Sequence, residues 1–265
     1  MDAIEHLCNQ AQKALSKLKQ KCVQNHIESA FKLFDTLILP ILSYCSEIWI
    51  PYFCKNLKNN NLFDLCEKLP IEKVHLKFCR YILGIHRKST NAALRAELGR
   101  YPLLITLIGY SVKYWLKLCD YKKQTLVKNA YLDLYSSQSI FINWASSVKN
   151  ILLHSDMSMV WSNQGSLYKY KIIKLLKDFF YNRYDTAWQE YLNREDSKLR
   201  TYKTFKHSIQ LENYLLTTDI NTRKEFTKLR ISAHQLQIEM GRYSKPRKTP
   251  AKLMKGFVNY VNLVM

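Results

Sequence analysis

PIEKVHLKFCRYILG, residues 70–84, contains signals for both ends of one helix and for two different faces between them. Pro70 suits the first turn of a helix, where a backbone N–H has no helical partner, and Gly84 suits the left-handed position after a helix. Apolar side chains recur at helical spacing along this stretch, at Ile71, Val74, Phe78, Tyr81 and Ile82. The pattern predicts a helix over 71–83 that buries this face.

A second face of the same helix carries three cations, Lys73, Lys77 and Arg80, at positions i, i+4 and i+7. A helix that buries one stripe and exposes three cations beside it is suited to contacting a phosphate backbone. The alternative interpretation is a surface helix whose long cationic side chains extend into solvent.

Helical patterns continue on both sides of this stretch, and Gly and Pro, which interrupt helices, number only six each. We predict helices over 2–22, over 27–51 with a kink or break at Pro40, over 102–122 and over 167–193, and a short helix that ends before Gly99. Convincing strand pairs are absent from the sequence. The predicted fold class is mainly α, an irregular multi-helix assembly with little or no β-sheet.

A further helix is predicted near the end of the chain. Thr222 and Glu225 have the spacing of a capping box, and Gly241 would close the helix. Cationic side chains are expected on its exposed face, at Arg223, Lys224, Lys228 and Arg230. Its core face is predicted to contain Phe226, Leu229, Ala233, Leu236 and Met240.

Residues 155–166 show little helical periodicity and end in Asn-Gln-Gly-Ser, which predicts a linker. We therefore expect a thumb-like helical domain over 1–154 and a second helical region over 167–249. The second region ends in a basic segment that is expected to be extended. Residues 250–265 form an atypical tail.

The chain is strongly basic, with 41 Lys and Arg against 21 Asp and Glu and a net charge of +20. The excess is concentrated in residues 71–123, with 11 basic against 3 acidic residues, and 223–255, with 10 against 2. Such a charge favours a polyanionic partner, either nucleic acid or an anionic membrane. A solvated lysine-rich surface is the alternative.

The location that the sequence predicts is intracellular, in the nucleus or cytoplasm. The seven cysteines are an odd number and no two have CxxC spacing, which indicates reduced thiols that mostly pack in the core. Residues 1–20 lack the continuous apolar stretch of a secretory signal. The best membrane candidate, Thr36 to Phe53, contains Glu47 and two prolines and is predicted instead to be a buried core helix.

Motifs of the common catalytic sites are missing from the sequence. Phosphate-binding loops, the HExxH zinc motif and the GxSxG elbow are absent, and the acidic residues are scattered, whereas a two-metal nucleotidyl transferase needs them close together. His75 and Cys79, with Cys54 and Cys66 upstream, have irregular spacing for zinc. We predict no catalytic residues, no metal and no cofactor.

Three strings of residues together resemble one protein family. KLFDTLILPILSYCSEIW (32–49), IEKVHLKFCRYILGIHRKSTNAALRAELGRYPLLI (71–105) and KLRISAHQLQIEMGRYSKPR (228–247) are similar to the region after the polymerase domain in reverse transcriptases of non-LTR, LINE-type retrotransposons of the RTE or jockey-like kind. ELGRYPL, residues 97–103, is the most specific part. The Ala-Asp-Asp-type metal motif of such enzymes is absent, so the resemblance implies a fragment that is not an enzyme in isolation.

The resemblance implies thumb-like helices and a linker that hold RNA, an RNA–DNA duplex or a DNA duplex. The missing polymerase domain is a possible further partner. Two alternatives remain open: a helical protein-interaction module, and a pseudogene product without function. Tyr101 and Tyr114 are candidates for stacking on bases, and a buried tyrosine packed in the protein is the alternative at both positions. Charge and helical phase predict phosphate contacts from Lys73, Lys77, Arg80, Arg87, Lys88, Arg95, Arg100, Lys113, Lys117, Lys228, Arg230, Arg242, Lys245 and Arg247.

Overall fold

The computed structural model describes residues 2–21, 26–55, 57, 62–86, 89–120, 125–137, 142–165, 168–194, 199 and 201–233. The fold is mainly α, as predicted. Within these ranges, β-type pairing is limited to an isolated antiparallel bridge between Leu98 and Leu211. The predicted extended basic segment after Gly241 and the tail over 250–265 lie outside the described residues.

The helices follow one another along the chain with short connections. In chain order they are α1 (Asp2–Lys21), α2 (Ile27–Leu33), a π-helix (Phe34–Ile38), α3 (Leu39–Leu42), α4 (Ser46–Phe53), α5 (Leu62–Lys68), α6 (Pro70–Leu83), α7 (Asn91–Glu97), α8 (Leu103–Asp120), α9 (Leu126–Ser136), α10 (Trp144–His154), α11 (Ser158–Ser162), α12 (Lys169–Asn193), a 3-10 helix (Tyr202–Thr204), α13 (Tyr214–Thr217) and α14 (Ile220–Arg230).

Helix α6 has the ends and the buried face that the sequence predicts. Pro70 is its first residue, and Gly84 follows it in the left-handed conformation, with φ 64°. The Ile85 backbone N–H donates to the Arg80 carbonyl across 3.2 Å, which closes the last turn as in a Schellman motif. The apolar stripe is buried, apart from the half-buried Tyr81.

The segment Thr36–Phe53, predicted as a buried core helix with a kink or break at Pro40, is divided as expected but differs in where it bends and in how far it is buried. The chain widens into the π-helix before Pro40, and Cys45 adopts a left-handed conformation with φ 51°. A proline ring clashes with the carbonyl four residues earlier and removes a hydrogen bond, and a π-turn relieves that crowding. Tyr44 and Ile48 are exposed, so this segment is only partly buried.

Pro51 was predicted to end a helix, but α4 continues past it to Phe53. A proline at this position has no N–H for the Glu47 carbonyl, four residues earlier. The Trp144 indole N–H of α10 donates to that carbonyl instead, across 2.9 Å. Because a tertiary contact replaces the missing bond, the helix is not interrupted.

In the described part of the chain, no helix by itself has the length and apolar composition needed to span a membrane. The segments Ile27–Leu42 and Ser46–Phe53 meet the test of length and composition only when taken together, and the chain bends by 78° between them.

Helix α8 lies at the centre, with α4, α10 and α12 packed around it. Its Trp115 ring stacks on Trp161, with centroids 5.3 Å apart. Trp161 is buried and belongs to α11, inside residues 155–166. The segment predicted as a linker therefore contributes a helix and a core side chain.

Helix α14 differs from its prediction in its start and in its buried face. Asp219 is its N-cap, with the carboxylate accepting from the Asn221 N–H at 2.9 Å and the Thr222 N–H at 3.1 Å. The predicted core residues Phe226 and Leu229 are 42 % and 48 % exposed, and Arg223 is buried. The helix ends at Arg230, and residues 234–240 lie outside the described residues.

The inverted face of α14 has a tertiary cause. The Arg223 guanidinium donates to the Leu215 carbonyl of α13 across 3.1 Å. The Thr227 hydroxyl bonds the Tyr214 hydroxyl across 2.8 Å. These polar contacts turn the stripe of Arg223 and Thr227 inward, and the apolar stripe consequently faces out.

Candidate nucleic-acid interface

A group of lysines lies where α1 and α6 pack side by side. Lys77 Nζ donates to Gln12 Oε1 across 2.7 Å, and the Tyr81 hydroxyl donates to the Lys19 carbonyl across 2.9 Å. The Lys19 ammonium lies 5.1 Å from the centroid of the Tyr81 ring. We name Lys19, Lys73 and Lys77 the α1–α6 lysine cluster.

The cluster holds its cations close together on an accessible surface. Lys73 and Lys77 are exposed. Burial and the neighbouring Lys77 ammonium lower the pKa of Lys19 below its ordinary value. Among the described residues, no carboxylate forms an ion pair with any of the three. Such an uncompensated positive field attracts a polyanion.

Lys113 and Lys117 lie one turn apart and exposed on α8, as predicted from helical phase. Helix α12 packs beside them and adds four lysines that the sequence analysis missed, Lys169, Lys171, Lys174 and Lys177. Their density within nine residues was a usable signal. The helical periodicity of this segment indicates only its core face, so the lysines follow from their density and not from the apolar pattern.

Arg95 was predicted to face nucleic acid, and this prediction is wrong because the side chain is fully buried. Its guanidinium pairs with Glu67 Oε1 at 2.7 Å and with Glu72 Oε2 at 3.0 Å. Burial by itself would raise the pKa of Glu72, but His75, Arg95 and the Leu104 N–H lower it overall. The planar guanidinium suits such buried carboxylates, which explains why it lies inside.

Arg100 is also engaged within the protein, against its prediction, in an ion pair at the edge of the core. Its guanidinium forms a two-bond pair with the Asp35 carboxylate, and its Nε–H donates to His75 Nε2 across 3.2 Å. The same group lies over the Phe31 ring, 4.8 Å from the centroid. Only 14 % of the side chain is exposed, because Arg100 links α6 to the π-helix.

Arg230 is a third arginine whose predicted phosphate contact is wrong. It pairs with the buried Glu97 at 3.0 Å and with Glu212 at 3.1 Å. The Tyr214 hydroxyl donates to the same Glu97 carboxylate across 2.6 Å. On the same helix, Lys228 pairs with Glu225 at 2.6 Å, so its charge is compensated locally.

Arg80 lies at the end of the cation stripe on α6 and is half-buried. It donates to the Asn91 side-chain oxygen, and burial lowers its pKa. Of the three cations predicted on this face, Lys73 and Lys77 are the exposed ones.

ELGRYPL, residues 97–103, forms a junction between distant segments. Gly99 has φ +61°, and a Cβ there would lie 2.4 Å from the Leu211 backbone nitrogen. The Tyr101 hydroxyl donates to the Asp185 carboxylate across 2.9 Å. Together with Glu97 and Arg100, these contacts give the motif an architectural role.

The two tyrosines predicted to stack on bases are half-buried and have aromatic neighbours within the protein. The Tyr101 and Tyr181 rings are 4.5 Å apart. Tyr114 meets the Trp144 ring edge-on at 5.9 Å. Neither ring therefore presents an open face like those used for stacking on nucleic acid.

His75 and Cys79, considered for zinc, are both buried and hydrogen-bonded to each other. His75, Arg100 and Arg95 lower the pKa of the Cys79 thiol despite its burial. In the part of the chain that the structure describes, no group of three or more His, Cys, Asp or Glu is arranged to hold a metal ion.

Five of the residues predicted to contact phosphate lie outside the described residues. They are Arg87, Lys88, Arg242, Lys245 and Arg247.

Comparisons with family models, with curated proteins and with solved structures found no significant match to this chain.

Proposed function

We propose that this chain binds nucleic acid through its phosphates and represents the non-catalytic part of a non-LTR reverse transcriptase. The α1–α6 lysine cluster is the principal contact, and Lys113 and Lys117 of α8 contribute to a second one. The partner is RNA, an RNA–DNA duplex or a DNA duplex. The net charge of +20 supports a polyanionic partner, and the three residue strings support the origin.

One observation carries the proposal: the described arginines have partners within the protein, whereas four of the lysines predicted to contact phosphate do not form ion pairs. Arginines in the described ranges have partners within the protein, and they are Arg80, Arg95, Arg100, Arg183, Arg194, Arg223 and Arg230. Lys73, Lys77, Lys113 and Lys117 remain exposed without ion pairs. Because a lysine acts as a point charge, this surface holds phosphates without distinguishing bases.

Fluorescence anisotropy with a 5′-labelled duplex of about 20 base pairs tests the proposal. The logarithm of the association constant should fall linearly with the logarithm of salt concentration, by roughly 0.9 for each phosphate neutralised. Duplexes of unrelated sequence should bind equally. Absence of binding at 50 mM salt, or binding that does not respond to salt, would overturn the proposal.

A pair of charge-reversal variants locates the contact. Lys73→Glu with Lys77→Glu should weaken binding and reduce the salt slope by about 2, since two phosphate contacts are lost. Lys55→Glu with Lys203→Glu is the matched control, because both lysines are exposed and the net charge changes by the same amount. Equal losses in the two variants would show that only total charge matters.

A second candidate function, protein binding, is favoured by an apolar surface on the bent segment from the π-helix to α4. Leu37, Tyr44 and Ile48 are 52 %, 66 % and 44 % exposed there. Exposed apolar surface of this kind is typical of a contact with another protein. A complex that survives nuclease treatment and is lost in Leu37→Ser with Ile48→Ser would support this candidate.

A further inference from the structure

Helices α8 and α12 each carry one tyrosine and two lysines along a single stripe. On α8 these are Tyr110, Lys113 and Lys117, at positions i, i+3 and i+7. On α12 they are Tyr170, Lys174 and Lys177, at i, i+4 and i+7. Such spacings place each set on one face of its helix. We call the six residues the tyrosine–lysine strip.

The two stripes lie next to each other because α8 and α12 pack in antiparallel directions. Lys169, at the start of α12, pairs with Asp120 at the end of α8. A Cβ on Gly109 would lie 2.9 Å from Lys177 Cε, toward the other end. Relative to the line along which α8 and α12 touch, the helical periodicity places both stripes on the same side of the helix pair. Thr106 and Tyr181, hydrogen-bonded to each other, lie on that side too.

Antiparallel packing puts the two tyrosines at opposite ends of the strip with the four lysines between them. Tyr170 is 86 % exposed and Tyr110 is 38 % exposed. Lys113, Lys117 and Lys174 are exposed and Lys177 is half-buried. Among the described residues, none of these four lysines has an ion-pair partner.

We propose that the tyrosine–lysine strip binds single-stranded nucleic acid, with the lysines on phosphates and the two tyrosines stacked on unpaired bases. An accessible aromatic ring beside a row of cations is the arrangement that binds single strands without sequence preference. The inference rests on the proposed function for the class of partner and for its second contact, that of Lys113 and Lys117, whereas the principal contact there is the α1–α6 lysine cluster. A duplex gains less from this strip, because its bases are already stacked.

The test compares three labelled oligonucleotides of equal length with the full chain: a mixed-sequence single strand, a single strand with abasic sites throughout its central part, and a duplex. Tyr110→Leu with Tyr170→Leu removes the aromatic rings and keeps apolar bulk and charge. Tyr52→Leu is the matched control, because Tyr52 is 45 % exposed on α4, away from the strip. Circular dichroism checks that each variant is folded.

The double variant should bind the mixed-sequence strand at least about fivefold more weakly for each tyrosine, with an unchanged salt slope. It should bind the abasic strand and the duplex as the unchanged chain does. Lys113→Gln with Lys174→Gln should reduce the salt slope for single strands by about 1.4.

Two results would overturn the inference. The first is equal binding of the mixed-sequence and abasic strands with no effect of the tyrosine changes, which leaves the proposed function intact. The second is loss of binding to phosphatidylserine vesicles, rather than to oligonucleotides, when the tyrosines are changed, which would assign the strip to a membrane. Absence of binding to all three oligonucleotides at 50 mM salt would overturn the proposed function itself.

Discussion

The Arg230 guanidinium bonds the fully buried carboxylate of Glu97, with Nη2 and Oε1 3.0 Å apart, although 133 positions separate the two residues. The contact joins α14 to the end of α7. Glu97 also accepts a hydrogen bond from Tyr214, and the pair is therefore the centre of a network that connects the C-terminal helices to the ELGRYPL junction.

Replacing Glu97 with Gln should destabilise the fold by about 2–3 kcal/mol, because the largely buried Arg230 would keep only one of its two carboxylate partners, Glu212. Urea unfolding followed by circular dichroism measures the change. Glu225→Gln is the control: Glu225 is 72 % exposed and pairs with Lys228, and its loss should cost less than about 1 kcal/mol. Similar losses in both variants would contradict a central role for the pair.

The stability of the fold should depend on pH through the buried carboxylate of Glu72. Its pKa is lowered in the folded state, by His75, Arg95 and the Leu104 N–H acting against burial. A lowered pKa stabilises the fold at pH values above 4.5, which is the ordinary pKa of a glutamate. That contribution is lost as the pH falls through the folded-state pKa. Glu72→Gln should therefore be about 3 kcal/mol less stable at pH 7.

The difference between Glu72→Gln and the unchanged chain should shrink below pH 4.5, where the carboxylate becomes protonated in the unfolded chain. Unfolding free energies measured from pH 7 to pH 3 test this. A difference that stayed constant over this range would show that Glu72 is not held ionised by the network.

Two glycines with similar backbone angles should respond differently to alanine. Gly84 and Gly99 have φ of +64° and +61°, so each substitution costs about 1 kcal/mol from the left-handed conformation. At Gly84 the new Cβ meets the flexible Lys224 side chain, whereas at Gly99 it meets the Leu211 backbone. Gly99→Ala should therefore cost more, about 2–3 kcal/mol in total. Thermal or urea unfolding of both variants measures the two losses of stability. Equal losses would contradict the close backbone contact at Gly99.

The bond between Trp144 and the Glu47 carbonyl should depend on Pro51. Trp144→Phe leaves the partly buried Glu47 carbonyl without its donor and should cost about 1 kcal/mol beyond the lost packing. In a Pro51→Ala background, the new N–H can bond to the Glu47 carbonyl, and the same change should cost less. A double-mutant cycle from urea unfolding gives the coupling. Additive costs would show that the indole N–H does not replace the missing helix bond.

Much of the helical architecture could be predicted because it depends on neighbours in the sequence. Helix α6 follows from its apolar stripe, Pro70 and Gly84, all within one short stretch. The bend before Cys45 and the continuation of α4 past Pro51 could not be predicted, since the second depends on an indole donor from Trp144, 97 positions away from Glu47.

The candidate site was predictable only in part. Lys73, Lys77, Lys113 and Lys117 were found from helical phase and are exposed. Arg95, Arg100 and Arg230 have the same formal charge in the sequence but form ion pairs with carboxylates of the same chain. The difference comes from carboxylates that the fold brings to them, and from the planar guanidinium, which bonds a buried carboxylate better than an ammonium does.

Local sequence therefore determined where helices form, which of their faces are apolar and how much positive charge the chain carries, because these properties arise within a few turns. Tertiary structure decided which charges are exposed, since burial depends on partners from distant segments. Both effects meet in α14: its sequence predicted an apolar inner face, and the contacts of Arg223, Thr227 and Arg230 with α7 and α13 turned its polar face inward.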